Sequence, residues 1–285
     1  MGAARAAPIM DRLSARVLTT LAMIARYRLV PALLAALLLA PACDSGKKEL
    51  TPEEAAAKLQ TDLESGDTLV RNNKLKAAEE IYIRVLEADD PGNARALAGM
   101  GKVRFEQKKY DEAEKYLVDA VAKTAGDPLL HFTLGQVRQM AEKPAEAAEA
   151  YGKAFELSPE DSTYGLSYGR MLKKIEKFTE AETILRQVAE IDPKAQFVFT
   201  ELGDSLRGQE KWDDSLRTYM KAQTTYPSNK EAFAGAAFVY EAKGDNRHAL
   251  DQWSTYIRMD CCSEFSKSVA QMKVETLKVD HGDGE

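Results

Sequence analysis

The stretch that decides the fold is residues 128–161, PLLHFTLGQVRQMAEKPAEAAEAYGKAFELSPED. Small, small, aromatic, small and proline residues stand in it at fixed intervals, namely Gly135, Ala147, Tyr151, Ala154 and Pro159. The first two small residues let two antiparallel helices approach closely, and the aromatic ring fills the space toward the next unit. Proline ends the second helix because it lacks a backbone N–H group and disfavours helix in the preceding residue. The stretch therefore predicts one pair of packed helices.

A similar pattern recurs on both sides of this stretch, with leucine in place of the aromatic residue in two copies and a final proline in three of the six. Successive copies are 35 residues apart once and 34 residues apart four times. The leading small residues of the six copies are Gly66, Gly101, Gly135, Gly169, Gly203 and Ala237. A fixed period of this length predicts a stack of helix pairs, in which each pair buries its apolar face against its neighbours.

The pattern resembles the tetratricopeptide repeat, whose period is 34 residues. The resemblance implies an all-α fold, a right-handed α-solenoid of six helix pairs with a capping helix at its carboxyl end. The six predicted units are residues 59–93, 94–127, 128–161, 162–195, 196–229 and 230–263. Residues 264–285 are expected to form the capping helix and a polar tail. The apolar stripe expected to cover the sixth unit consists of Phe265, Val269, Met272 and Leu277.

The amino-terminal residues form a different kind of segment. Residues 29–40, LVPALLAALLLA, are about twelve apolar residues, fewer than the roughly twenty that span a membrane. Arg26 and Arg28 precede them and the small residues Ala40, Pro41 and Ala42 follow. This order of basic, apolar and small residues is typical of a secretory signal.

The start of this signal is expected at Met23, because a signal that began at Met1 would be very long. Residues 1–22 are then a misassigned leader and residues 23–42 the signal peptide. Starts at Met1 and Met10 remain open.

Cys43 directly follows the small residues, and the junction resembles the lipobox of bacterial lipoproteins. The resemblance implies that the Cys43 thiol is acylated and becomes the new amino terminus. Residues 43–58 would then hold the lipidated cysteine, a polar tether and the start of the first helix. Ala40 stands where the lipobox usually has leucine, so an ordinary cleaved signal followed by a coincidental cysteine is the alternative. A lipid anchor places the protein in the cell envelope, facing the periplasm, with the outer membrane favoured over the inner.

The charge distribution argues against nucleic acid as a partner. The chain has 39 basic and 45 acidic residues, and 34 and 44 of these follow residue 42. Nucleic-acid binding needs a clustered basic face, which an acidic body of this kind does not suggest.

No catalytic motif is present in the sequence. His131, His248 and His281 are far apart, and no HExxH, CxxC or phosphate-binding glycine loop occurs. We therefore expect no enzyme activity, no cofactor, no metal and no small-molecule substrate.

The resemblance also implies where a partner protein binds, because in this repeat family the first helices of successive units line a concave groove. Arg170, Lys173 and Lys174 share one helix face at i, i+3 and i+4. Together with nearby phenylalanines they predict a site for an extended peptide with acidic and apolar residues. The expected groove residues are Arg95, Lys102, Phe105, Phe132, Gln136, Gln139, Met140, Arg170, Lys173, Lys174, Phe197, Asp204, Arg207, Phe238 and Glu241.

Cys261 and Cys262 allow two interpretations. Adjacent cysteines form a disulfide only with strain, since their Cα atoms lie about 3.8 Å apart. A packed pair or a local ring that stiffens the turn is one interpretation, and a redox switch or a crosslink to a partner is the other.

These features predict a membrane-anchored periplasmic scaffold that binds other proteins. A lipid anchor followed by six such repeats resembles the pilotin lipoproteins, which help the secretins of type IV pili to reach and assemble in the outer membrane. Adaptors of peptidoglycan enzymes or of polysaccharide export, and a redox-responsive envelope regulator that uses Cys261 and Cys262, are the alternatives.

Overall fold

The computed structural model describes residues 50–280, apart from the side chains of Asp89, Val279 and Asp280. The predicted signal peptide, Cys43, His281 and the polar tail lie outside the described residues. The described residues from Pro52 to Asp280 form one compact unit.

Thirteen α-helices and no strand occur in the described part of the chain. The first helices of the six pairs are α1 (Pro52–Arg71), α3 (Ala94–Glu106), α5 (Pro128–Met140), α7 (Ser162–Lys174), α9 (Val198–Gly208) and α11 (Lys230–Ala242). The second helices are α2 (Leu75–Arg84), α4 (Tyr110–Lys123), α6 (Pro144–Leu157), α8 (Phe178–Ile191), α10 (Trp212–Thr225) and α12 (Asn246–Met259). A π turn at Val85–Asp89 extends α2, and another at Ser266–Ala270 precedes α13 (Gln271–Asp280). The predicted all-α fold of paired helices is confirmed over these residues.

The turn inside each pair follows the repeat period. One residue of each turn has a positive φ, namely Asn73, Lys108, Glu142, Glu176, Glu210 and Gly244. Asparagine and glycine adopt this conformation readily, but Lys108, Glu142, Glu176 and Glu210 do not, so these four turns hold some backbone strain.

A capping side chain recurs directly before three of the first helices. Asn93, Asp127 and Asp161 each accept a hydrogen bond from a backbone N–H group of the helix that follows. These side chains satisfy amide groups that have no partner inside the helix. Ala195 stands one period later and cannot accept such a bond. Helix α9 accordingly begins only at Val198, after Phe197 with a φ of 70°.

The large residue at the equivalent position of each second helix is buried, and it is aromatic in four pairs and leucine, Leu117 and Leu185, in the other two. Tyr82 packs against Gly66 in its own pair and against Gly99 in the next. An ideal Cβ at Gly99 would lie 2.3 Å from Tyr82 Cζ, so a side chain at this position has no room. Tyr219 has the same relationship to Gly203 and Gly235. The core therefore continues from one pair to the next without a break.

The capping helix covers the sixth pair, but not with all of the predicted residues. Ala270 and Leu277 are buried in one apolar cluster with Trp253 and Tyr256. The prediction that Met272 joins this stripe is wrong, because its side chain is 55% exposed. The π turn at Ser266–Ala270 inserts an extra residue, which rotates the following helical face away from the predicted register.

Candidate protein-binding face on the first helices

The predicted groove residues lie on the first helices or directly before them, at positions that recur in each unit. We call the surface that they form the first-helix face. Three parts of it differ in chemistry: the cavity between α1 and α3, the middle helix α5, and the part formed by α7, α9 and α11.

Asp67 organises the part between α1 and α3. Its carboxylate accepts hydrogen bonds from the Tyr82 hydroxyl at 2.7 Å and from Arg95 Nη2 at 2.6 Å and Nε at 3.0 Å. Burial, together with the hydrogen bond to Asp67, raises the pKa of Tyr82 and keeps its hydroxyl protonated. An open cavity of about 530 Å³ lies beside this pair, lined by Glu64, Asp67, Thr68, Val70, Arg71, Arg95 and Lys102.

Helix α5 presents apolar and amide side chains. The Phe132 ring lies 5.3 Å from the ring of Tyr151 and 4.8 Å from that of Tyr164, centroid to centroid. Gln139 accepts a 2.8 Å hydrogen bond from the Tyr151 hydroxyl, which leaves its amide N–H groups available. Gln136 is exposed, and Met140 is 50% exposed. This part of the face can contact apolar side chains and hydrogen-bond to a peptide backbone.

The part formed by α7, α9 and α11 is a ladder of ion pairs, which we call the ion ladder. Arg170 Nε lies 2.7 Å from Glu201, and Lys173 Nζ lies 2.6 Å from the same carboxylate. Lys173 also contacts Asp204 at 2.5 Å, and Arg207 contacts Asp204 at 3.5 Å. Burial alone would lower the pKa of Lys173, but the two carboxylates outweigh it and raise that pKa.

Aromatic rings flank the ion ladder. The guanidinium carbon of Arg170 lies 5.7 Å from the Phe197 ring centroid, and that of Arg207 lies 5.5 Å from the Phe238 ring centroid. These are cation–π distances, and they hold both arginines against the surface. At the carboxyl end Lys273 of the capping helix contacts Glu241 at 2.6 Å.

The three residues of the predicted basic cluster differ in their ion pairing. Arg170 and Lys173 point toward carboxylates of the next unit, whereas Lys174 is exposed and has no ion pair among the described residues. Lys102 is likewise without an ion pair within residues 50–280. Phe105 is half-buried and packs on Tyr110 at 5.8 Å, so it contributes more to the core than to the face.

Sequence reasoning did not identify Glu201, Tyr164, Leu129 or Lys273 as part of this face. Glu201 and Asp204 each follow their lysine or arginine partner by 31 residues, slightly less than one period. A search for opposite charges at this spacing would have found the ion ladder.

Cys261 and Cys262 are exposed free thiols with their Sγ atoms 2.8 Å apart. The hydrogen bond to Cys261 raises the pKa of the Cys262 thiol. Both side chains are exposed, and the local pair or ring and the redox-responsive pair both stay predictions.

Within the described ranges, no group of three or more His, Cys, Asp and Glu side chains is arranged to hold a metal ion. Across the same residues, every helix is too short or too polar to cross a bilayer.

A family model described as tetratricopeptide repeat matches residues 63–128 and 132–195. Residues 63–128 and 132–195 are thus tetratricopeptide repeats. The chain's matches among curated proteins include the type IV pilus assembly protein PilF of Pseudomonas aeruginosa, 32% identical over 108 residues, which are 37% of this chain and 42% of PilF. The chain spans less than half the length of the curated relatives that it matches.

Solved structures support the same tetratricopeptide-repeat fold. The structure of Pseudomonas aeruginosa PilF aligns with a TM-score of 0.59 over 79% of this chain and 99% of its own, at 15% identity. YrrB, described as a tetratricopeptide-repeat protein with an unusual peptide-binding site, aligns with a TM-score of 0.56 over 67% of this chain and 97% of its own, at 17% identity. At these identities the two structures establish the fold alone.

Proposed function

We propose that this tetratricopeptide-repeat protein is a scaffold that holds a partner protein on its first-helix face and is anchored in the cell envelope through Cys43. The observation that carries the proposal is the composition of that face. Exposed apolar, amide and cationic side chains from several helices meet there, on a body whose residues after position 42 are acidic overall. Such a surface suits another protein better than nucleic acid.

The sequence before the first helix supports the anchor. The apolar run at residues 29–40 ends three residues before Cys43, as expected of a lipoprotein signal. Helix α1 begins at Pro52, so residues 44–51 separate it from the cysteine. An extended chain of this length reaches roughly 26 Å, enough to hold the helices clear of a membrane surface.

The similarity to PilF supports a role in assembling an envelope complex of type IV pili, and an outer-membrane secretin is then the candidate partner. Adaptors of peptidoglycan enzymes or of polysaccharide export would use the same anchor and face. A redox-responsive regulator is favoured by one specific observation, the two exposed thiols of Cys261 and Cys262.

The test is affinity capture of the full chain from detergent-solubilised envelopes of its native host, after chemical crosslinking in intact cells. The variant Gln136→Glu/Met140→Glu places two charges on the first-helix face, and Val118→Glu/Met220→Glu places two on second helices at comparably exposed positions. We expect one envelope protein to be captured by the wild type and by the second-helix variant, and to be lost with the first-helix variant. Equal capture by both variants, or no specific capture by the wild type, would overturn the proposal.

Two further measurements separate the alternatives. Labelled palmitate should be incorporated into the wild type and not into the Cys43→Ser variant. Incorporation into neither protein would overturn the proposal that Cys43 carries a lipid anchor. The variant Cys261→Ser/Cys262→Ser should capture the partner as well as the wild type with and without reductant, whereas a regulator would capture it differently.

A further inference from the structure

We propose that the partner segment is an extended peptide of about six or seven residues, apolar in the centre and acidic at both ends, which lies across α5 between Lys102 and Lys174. This inference rests on the proposed function and specifies where on the first-helix face the partner binds. Three independent features of the described residues carry it.

The first feature is an uncharged stripe along α5. Leu129, Phe132, Gln136 and Met140 follow one another at intervals of three, four and four residues, so they share one side of the helix. Leu129 and Met140 are each 50% exposed. The only arginine of α5, Arg138, points to another side and pairs with Glu114 at 2.8 Å. The stripe can therefore bury apolar side chains of a partner without desolvating a charge.

The second feature is the spacing of the first helices. Helix α1 approaches α3 closely, and α9 approaches both α7 and α11, whereas α5 stays farther from its neighbours α3 and α7. The glycines Gly99 and Gly235 explain two of the close approaches, since each meets the tyrosine that precedes it. At the equivalent places beside α5 the chain has Thr133 and Ser167. The first-helix face is thus most open on both sides of the uncharged stripe.

The third feature is the distribution of uncompensated charge. Lys102 on α3 and Lys174 on α7 are the lysines that flank the stripe, and neither has an ion pair within residues 50–280. Arg170, Lys173 and Arg207 are instead each held in an ion pair with Glu201 or Asp204. An acidic group that approached the ion ladder would meet two carboxylates at close range, whereas beside α5 it would meet a lysine on either side.

The length of the segment follows from the helix spacing. Packed helices lie about 8–10 Å apart, and α3 and α7 are separated by two such intervals or slightly more, roughly 20 Å. An extended chain advances about 3.3 Å per residue, so roughly six or seven residues connect the two lysines. The amide groups of Gln136 and Gln139 lie along this path and can hydrogen-bond to the peptide backbone, which explains uncharged polar residues in the middle of the stripe.

The test is fluorescence anisotropy of two fluorescein-labelled peptides that are titrated with purified protein of residues 44–285, which lacks the predicted signal peptide and Cys43. One peptide is Asp-Leu-Thr-Phe-Ser-Leu-Asp, and the other has asparagine in place of both aspartates. We expect the wild type to bind the acidic peptide about tenfold more tightly than the neutral one at low ionic strength, and we expect added salt to reduce the difference.

The decisive variant is Lys102→Gln/Lys174→Gln, which should bind both peptides with the affinity of the wild type for the neutral one. Its matched control is Lys76→Gln/Lys115→Gln, which removes from second helices two exposed lysines that have no ion pair among the described residues and leaves the net charge equal. The control should keep the tenfold preference. The variant Met140→Ser should weaken binding of both peptides, because Lys102 and Lys174 are one period from Gln136 and Met140 and the path between them crosses α5 there. Unchanged circular dichroism shows that each variant is folded.

The possible failures are distinguishable from failure of the proposed function. If the Lys102→Gln/Lys174→Gln variant and the control variant lose the preference for the acidic peptide equally, the net charge of the protein explains that preference. The two lysines then form no specific site, and the inference is wrong. If the wild type binds neither peptide below about 1 mM, the stated chemistry is wrong, while capture of an envelope protein would still sustain the scaffold. If no envelope protein is captured although the acidic peptide binds α5, the site stands and the proposed function falls.

Discussion

The hydroxyl group of Tyr219 donates a 2.6 Å hydrogen bond to Asp204, the carboxylate that also contacts Lys173. Tyr219 is fully buried on the second helix of the fifth pair, and Asp204 lies on the first helix. Burial, reinforced by the negative charge of Asp204, raises the pKa of Tyr219 well above its usual range, so the hydroxyl remains a donor at any physiological pH. The core of one repeat therefore fixes the geometry of the ion ladder on its surface.

Replacing Tyr219 with phenylalanine should destabilise the protein by about 1–2 kcal/mol, because a partly buried carboxylate loses a donor. Tyr151→Phe is the matched control, since its hydroxyl donates to the neutral amide of Gln139 at 2.8 Å. Its cost should be about 0.5–1 kcal/mol, because hydrogen bonds to charged groups are the stronger ones. Urea denaturation followed by circular dichroism measures both. Equal costs would mean that the charge on Asp204 does not contribute.

A side chain at Gly99 should be poorly tolerated. Gly99→Ala places a methyl group against the Tyr82 ring, which is fully buried and held by Asp67 at 2.7 Å, so the ring cannot move without breaking that bond. Overpacking of this kind costs about 1–3 kcal/mol. In Gly126→Ala the added carbon meets nothing within 4 Å, so that variant should change stability by less than about 0.5 kcal/mol. The comparison of their denaturation midpoints checks the prediction, and similar midpoints would contradict it.

The repeat period predicted the helix pairs, since in each of the first five pairs a glycine of the first helix meets a tyrosine or leucine of the second. The start of α9 was harder to predict, because it depends on one missing cap at Ala195 rather than on the periodic residues. The candidate site could be placed on the first helices but not described in detail. Arg170, Lys173 and Lys174 look alike in sequence, and only the acids one repeat away separate the first two from the third.

The strained turns inside the helix pairs offer a direct test of backbone conformation. Glu142 and Glu176 have φ values of 59° and 61°, and glycine stands at the equivalent position only in the sixth pair, as Gly244. Glu176→Gly should be neutral or stabilise the protein by up to about 1 kcal/mol, because relief of the left-handed strain offsets the added entropy of the unfolded chain.

Gly244→Ala should have the opposite effect and destabilise by about 1 kcal/mol, although it has open space around it. The thermal unfolding midpoints of Glu176→Gly and Gly244→Ala, each compared with the wild type, measure the two changes in stability. A clear loss of stability in Glu176→Gly would show that its side chain contributes more than the strain costs.

Glu182 on α8 should make the free energy of unfolding depend on pH. Burial alone would raise the pKa of its carboxyl group, but hydrogen bonds from Lys211, Gln209 and Arg186 outweigh burial and lower that pKa to about 2. The pKa is thus lower in the folded than in the unfolded chain, where it is about 4.5. A lowered carboxyl pKa contributes stability that is fully present above about pH 4.5 and is lost as the pH falls toward 2.

Glu182→Gln should therefore be less stable than the wild type at pH 7, and the difference should shrink steadily between about pH 5 and pH 2. Glu149→Gln is the control, because that side chain is exposed on a second helix and has no ion pair among the described residues. Its stability relative to the wild type should not change over this range. Because Lys211 lies 2.8 Å from Glu182 across the boundary between the fourth and fifth pairs, the same pH change should weaken the contact between repeats. Hydrogen exchange of α8 and α10 amides, measured at pH 7 and pH 4, would locate the effect, and a uniform change along the whole chain would assign it to charge in general.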